Sequence, residues 1–116
     1  MTTSNINHAK ELLKEFRHLF RQSNLRSIVA NEVFILQTLP SENNNSIVTE
    51  VQSIITAINK LNTLERSILY WKYINIEELT NVGIWLELCV GERTFYRKLK
   101  LAHQYFSEAY SNSSIN

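Results

Sequence analysis

The sequence predicts an all-α fold, a helical bundle whose C-terminal part is a sigma region 4-like helix-turn-helix. Three observations predict it. Apolar residues recur at three- and four-residue steps along most of the chain. The 116 residues contain only two glycines and one proline, fewer turn formers than a sheet-rich domain of this size needs. Residues 80–100 read as a short helix, a tight turn and a longer basic helix.

The length suits one hydrophobic core. Apolar residues at 44% and charged residues at 20% are ordinary for a soluble domain. No run approaches the roughly 18 apolar residues of a membrane span, and the first seven residues lack a signal peptide's apolar stretch. With one cysteine, Cys89, the chain forms no internal disulfide and fits a reducing cytoplasm. The expected localisation is therefore cytoplasmic, with no membrane partner.

Residues 6–22 predict an amphipathic helix, with Ile6, Ala9, Leu13, Phe16 and Phe20 on one face and Ser4 or Asn5 as its cap. Residues 23–27 are a break. Residues 28–39 are read as a second helix, although their β-branched apolar runs disfavour it. Residues 40–46, Pro-Ser-Glu-Asn-Asn-Asn-Ser, form the clearest loop. Over 47–61 the residues Ile47, Val51, Ile54, Ile58 and Leu61 follow a seven-residue repeat, which suits a core face or a dimer seam. Another helix is predicted from Thr63, its candidate cap, to Ile74, and two more over 80–89 and 92–110. The organisation is thus an N-terminal helical extension (1–45), a DNA-binding domain (46–110) and a frayed tail (111–116).

Net charge is only +1, but its distribution is uneven. Residues 92–103 hold Arg93, Arg97, Lys98 and Lys100 against Glu92, whereas Glu77, Glu78 and Glu87 precede them without a base between. At about 100° per residue, Phe95, Leu99, Ala102 and Phe106 share one side of the last helix. Arg93, Arg97, Lys100 and Gln104 share the other, with Tyr96 and Lys98 on the flanks. A recognition helix is built in this way, its N-terminal turns entering the major groove. Arg pairs with guanine edges, and Lys and Tyr hold phosphates. Arg93, Arg97 and Lys100 are the expected main contacts, with Thr94, Tyr96, Lys98 and Gln104 as secondary ones. Ile84 and Leu88 would anchor the first helix, Val90 would fill the turn, and Gly91 would cap the second helix. The position that usually takes a small residue holds Trp85. Either the helices sit further apart or the indole points outward, and Gly83 would relieve the crowding.

Leu61, Glu65, Arg66, Leu69 and Tyr73, followed by the basic run Thr94-Phe95-Tyr96-Arg97-Lys98-Leu99-Lys100, resemble the ArpU/RinA group of phage late transcriptional regulators. That group is similar in turn to region 4 of bacterial sigma factors. The resemblance covers residues 47–110, and Trp85 and Gly91 depart from its usual small residue and Ser. It implies control of phage late genes for packaging and lysis in low-GC Gram-positive hosts.

His8, His18, His103 and Cys89 lack paired metal-ligand spacing, so no metal is expected. Cys89 is expected in the core at a helix end, and His103 as a packing residue. Neither a nucleophile–base arrangement nor a glycine-rich phosphate loop occurs. The expectation is a non-enzymatic protein without cofactors. Tyr70, Trp71, Tyr73 and Trp85 suit a core or a surface that stacks on bases. The expected partner is double-stranded DNA, and the alternative is a protein-interaction module on the same scaffold that binds RNA polymerase or another regulator. The apolar surface of the N-terminal helices must be buried, either on the domain, in a homodimer or against the transcription machinery.

Overall fold

The computed structural model describes the backbone of residues 3–23, 25–31, 34–39 and 46–114. Within it, side chains are described for residues 6–23, 25–31, 34–38 and 46–112. The chain is mainly α. Helices α1 (Thr3–Lys14) and α2 (Phe16–Ser23) lead into strands β1 (Ser27–Ala30) and β2 (Leu36–Leu39). Then come α3 (Ser46–Asn59), α4 (Thr63–Leu69), one π-helical turn (Tyr70–Ile74), α5 (Asn81–Glu87) and α6 (Glu92–Ser114).

The first predicted helix is bent. Glu15 separates α1 from α2, while Glu15 N still donates to Glu11 O and Leu19 N to Glu15 O. Both pieces keep the predicted face inward, with Ala9, Leu13 and Phe16 buried. The loop expected over 40–46 lies, up to its last residue, outside the described residues.

The helix expected over 28–39 is an antiparallel hairpin, so the fold is not purely α. Ser27 faces Leu39 and Ala30 faces Leu36. Ile28 and Val29 are stiff at χ1 and suit a strand. The turn is made without glycine: Asn31 accepts from Phe34 N at its carbonyl (2.8 Å) and from Ile35 N at its side chain (3.1 Å). Phe34 takes a left-handed φ of 57°. Asn59 at the end of α3 then grips β2, since Leu36 N donates to Asn59 Oδ1 and Asn59 Nδ2 donates to Leu36 O, both at 2.8 Å. A paired strand edge and a buried Leu36 together outweigh the weak helical pattern.

One core joins all the helices. Leu13 and Phe16, Val51, Ile54 and Ile58, Ile68 and Leu69, Ile84, and Phe95 and Phe106 are each fully buried in it. Of the seven-residue stripe, Val51, Ile54, Ile58 and Leu61 are therefore core within the monomer, and Ile47 is half-buried. α1 packs on α6, and α2 packs on α3 and the π turn. α6 runs into the tail expected to fray (111–116), as far as Ser114, and Tyr110 donates to Glu50 of α3 at 2.6 Å.

Asn62, and not Thr63, caps α4: its side chain accepts from Glu65 N at 3.0 Å. Buried Arg66 ties the two helices at this corner, donating to the carbonyls of Leu61 and Asn59. The π turn brings adjacent Tyr73 and Ile74 both inward, and Asn75 N closes it on Tyr70 O at 2.8 Å. The carbonyls left at such an end need donors, and Arg17 of α2 supplies them to Asn75 O (2.8 Å) and Lys72 O (3.2 Å). Among the described residues, no helix is long and apolar enough to cross a membrane.

Candidate nucleic-acid interface

α5 begins at a built cap, with Gly83 N donating to Thr80 Oγ1 at 3.1 Å. It ends in a Schellman turn. Val90 N reaches back to Trp85 O (3.0 Å) and Cys89 N to Leu86 O (3.2 Å), the paired bonds that satisfy the last carbonyls of a helix. The left-handed residue of that turn is Cys89, at φ 58°. Cys89 is thus an exposed turn residue, not the core residue the sequence suggested. Glycine is absent from the position that favours it and stands two residues later. There Gly91 O accepts from Phe95 N (2.9 Å) and opens α6, as expected of the capping residue. A Cβ on Gly91 would meet open space.

Ile84 is fully buried, and Leu88 and Val90 pack against the core. Trp85 lies half-buried between the two helices, its ring 5.6 Å from Phe95 and 5.8 Å from Tyr96. The indole therefore serves as the spacer between α5 and α6. Gly83 does not relieve this crowding, because a Cβ there would meet Thr80 and Leu79 rather than α6.

Along α6 the predicted inner face is buried: Phe95, Leu99, Ala102 and Phe106. Arg93, Arg97 and Lys100 are exposed on the other side. With steps of four and three residues they form one line about 10 Å long. Among the described residues no carboxylate pairs with them. Tyr96 flanks the line, 47% exposed, and Thr94 is half-buried. Two predicted contacts stand apart. Lys98 turns toward α4, where its Nζ lies 3.9 Å from the carboxylate of Glu65, which is 2% exposed. Gln104 is half-buried, three turns from Arg93, where α6 enters the bundle.

The sequence reading missed two neighbours of the stripe. Lys72 of the π turn donates to Asn81 Oδ1 (2.9 Å), and Asn81 Nδ2 donates to Tyr96 Oη (3.5 Å). Lys72 sits in an aromatic run whose π geometry has no local signature. Tyr70, Trp71 and Trp85 pack against the core and Tyr73 is part of it, so the aromatics do not form an open stacking surface. His103 is buried and shares a 2.7 Å hydrogen bond with Tyr73. Burial, with help from Lys10, Lys72 and Lys14, pulls its pKa down to about 4. Burial pushes the Tyr73 phenol up to about 12. No cluster of three or more His, Cys, Asp or Glu side chains suited to a metal occurs among the described residues.

In comparisons with protein-family models, curated proteins and solved structures, nothing matches this chain.

Proposed function

We propose that the chain is a sequence-specific DNA-binding transcriptional regulator. In this reading α5, the Schellman turn and α6 act as a sigma region 4-like helix-turn-helix. The regulator is of the ArpU/RinA kind, acting in the cytoplasm of a bacterial host on phage late genes. The observation that carries the reading is the stripe Arg93, Arg97 and Lys100 on the first turns of α6, unpaired among the described residues and opposite a face anchored in the core. A helix held from behind by Phe95 and Leu99 offers its whole outer surface to a groove about 12 Å wide. In this reading Arg93 and Arg97 reach base edges, and Lys100 and Tyr96 hold phosphates. Lys98 and Gln104 fall to minor roles, since one neutralises Glu65 and the other is half-buried. The reading calls for no catalysis and no cofactor.

Mobility shift of random duplex DNA at several salt concentrations tests it. Binding that weakens linearly in the logarithm of salt is expected, and no binding at low salt would refute it. A second reading, a scaffold that docks a protein such as RNA polymerase, draws on Val82 and Leu86. They lie one turn apart on the outer face of α5, 49% and 67% exposed. Leu86→Ser would then abolish polymerase capture while leaving duplex binding intact.

A further inference from the structure

The basic surface does not end at α6. α1 packs on α6, and it carries Lys10 and Lys14 one helical turn apart. Both lie close enough to act electrostatically on Lys72 of the π turn and on His103 of α6. Lys72 in turn meets Tyr96, on the flank of the recognition stripe, through Asn81. Lys72 thus lies between the Tyr96 flank of α6 and the lysines of α1. Two carboxylates reach the edges of this lysine group among the described residues: Glu78, 3.9 Å from Arg17, whose guanidinium donates to Lys72 O, and Glu11, 3.4 Å from Lys14. Glu11 and Lys14 are both mostly exposed, so solvent leaves that pair weak. Three lysines drawn around a buried, neutral histidine–tyrosine pair repel one another in the isolated protein, and an anion would relieve that repulsion. A helix of about 10–12 Å diameter fills the major groove, so residues on its flank face the phosphates of one groove wall.

We infer that Lys10, Lys14 and Lys72 form a phosphate-binding extension of the interface, and that α1 is therefore a second DNA-contacting element alongside its role in the core. This rests on the DNA-binding reading above. The contact is with backbone oxygens, because ammonium groups outside the groove meet no base edge. It adds affinity without sequence preference.

Fluorescence anisotropy with one fixed duplex, titrated at four salt concentrations, tests it on the full chain. Lys10→Ala/Lys14→Ala is expected to lower the slope of log affinity against log salt by about 2. It is expected to weaken cognate and random duplexes alike, by on the order of tenfold at physiological salt. Lys72→Gln is expected to remove about one further unit of slope. Thermal melts of the same variants control for folding, and the double variant is expected to melt no lower than the parent because like charges are removed. An unchanged slope in the folded double variant, while Arg97→Ala still weakens binding, would overturn the extension and leave the recognition stripe standing. No duplex binding by the unaltered chain would overturn both.

Discussion

The two halves of α6 obey different rules. In the first, residues 92–100, only Phe95 and Leu99 are buried; Glu92, Arg93, Tyr96, Arg97 and Lys100 are exposed, and Thr94 and Lys98 are half-buried. In the second, burial widens to Ala102, His103, Phe106 and Ser107, and Tyr110 is tied to α3. Small residues and one neutral histidine let neighbouring helices close around the second half. Along the first, α5 meets Phe95 through Trp85 and α4 meets Lys98 through Glu65, while the side that bears Arg93, Arg97 and Lys100 stays exposed. A single continuous helix thus acts as a central strut at one end and as a presented surface at the other, and backbone hydrogen bonding holds the two in fixed relation.

Substitutions should separate the halves sharply. The largest effect is expected in the strut: Phe106→Ala should cost about 3–5 kcal/mol, with Leu99→Ala at about 2–5, as large-to-small changes in a filled core do. Chemical denaturation measures both, and a loss under 1 kcal/mol at Phe106 would mean that the strut is not packed as described. The next concerns His103. Its folded pKa of about 4 lies below the ordinary 6.5, so the unfolded chain takes up the proton first. Stability is therefore complete above pH 6.5 and falls as pH drops toward 4, by about 3 kcal/mol in total. His103→Gln should flatten that window in melts run from pH 7.5 to 4. An equally steep loss in the variant would assign the acid sensitivity to other groups. In the presented half, Lys98→Ala should cost about 1 kcal/mol, because it strips a buried Glu65 of its counter-charge. That revises the negligible cost a solvent-facing lysine would carry. Smallest is Cys89→Gly, expected to stabilise by up to about 1 kcal/mol through relief of the left-handed φ. A lower melting temperature would show that the Cys89 side chain makes a contact of its own.

Much of α6 was legible because its inner face repeats with helical period, and the same holds for α3 and for Ile84. What the sequence could not display is of two kinds. Some features depend on partners far along the chain: Arg17 closing the π turn at Lys72 and Asn75, Asn59 pinning β2, and Glu65 claiming Lys98. Others lack the residue that usually announces them. The hairpin turns on Asn31 and a left-handed Phe34, and the Schellman turn on Cys89, with no glycine at either left-handed position. A hairpin without turn glycine reads as a poor helix, and a turn cysteine reads as core.

The most direct test of the central claim is the effect of Arg93→Ala and Arg97→Ala on duplex affinity and on stability, measured side by side. The account predicts unfolding free energies within about 0.5 kcal/mol of the parent, since both side chains are exposed and neither forms an ion pair among the described residues. It also predicts DNA binding weakened by about 1–3 kcal/mol at each position on the cognate site. Variants that fold normally and bind duplex DNA as tightly as the parent would contradict it.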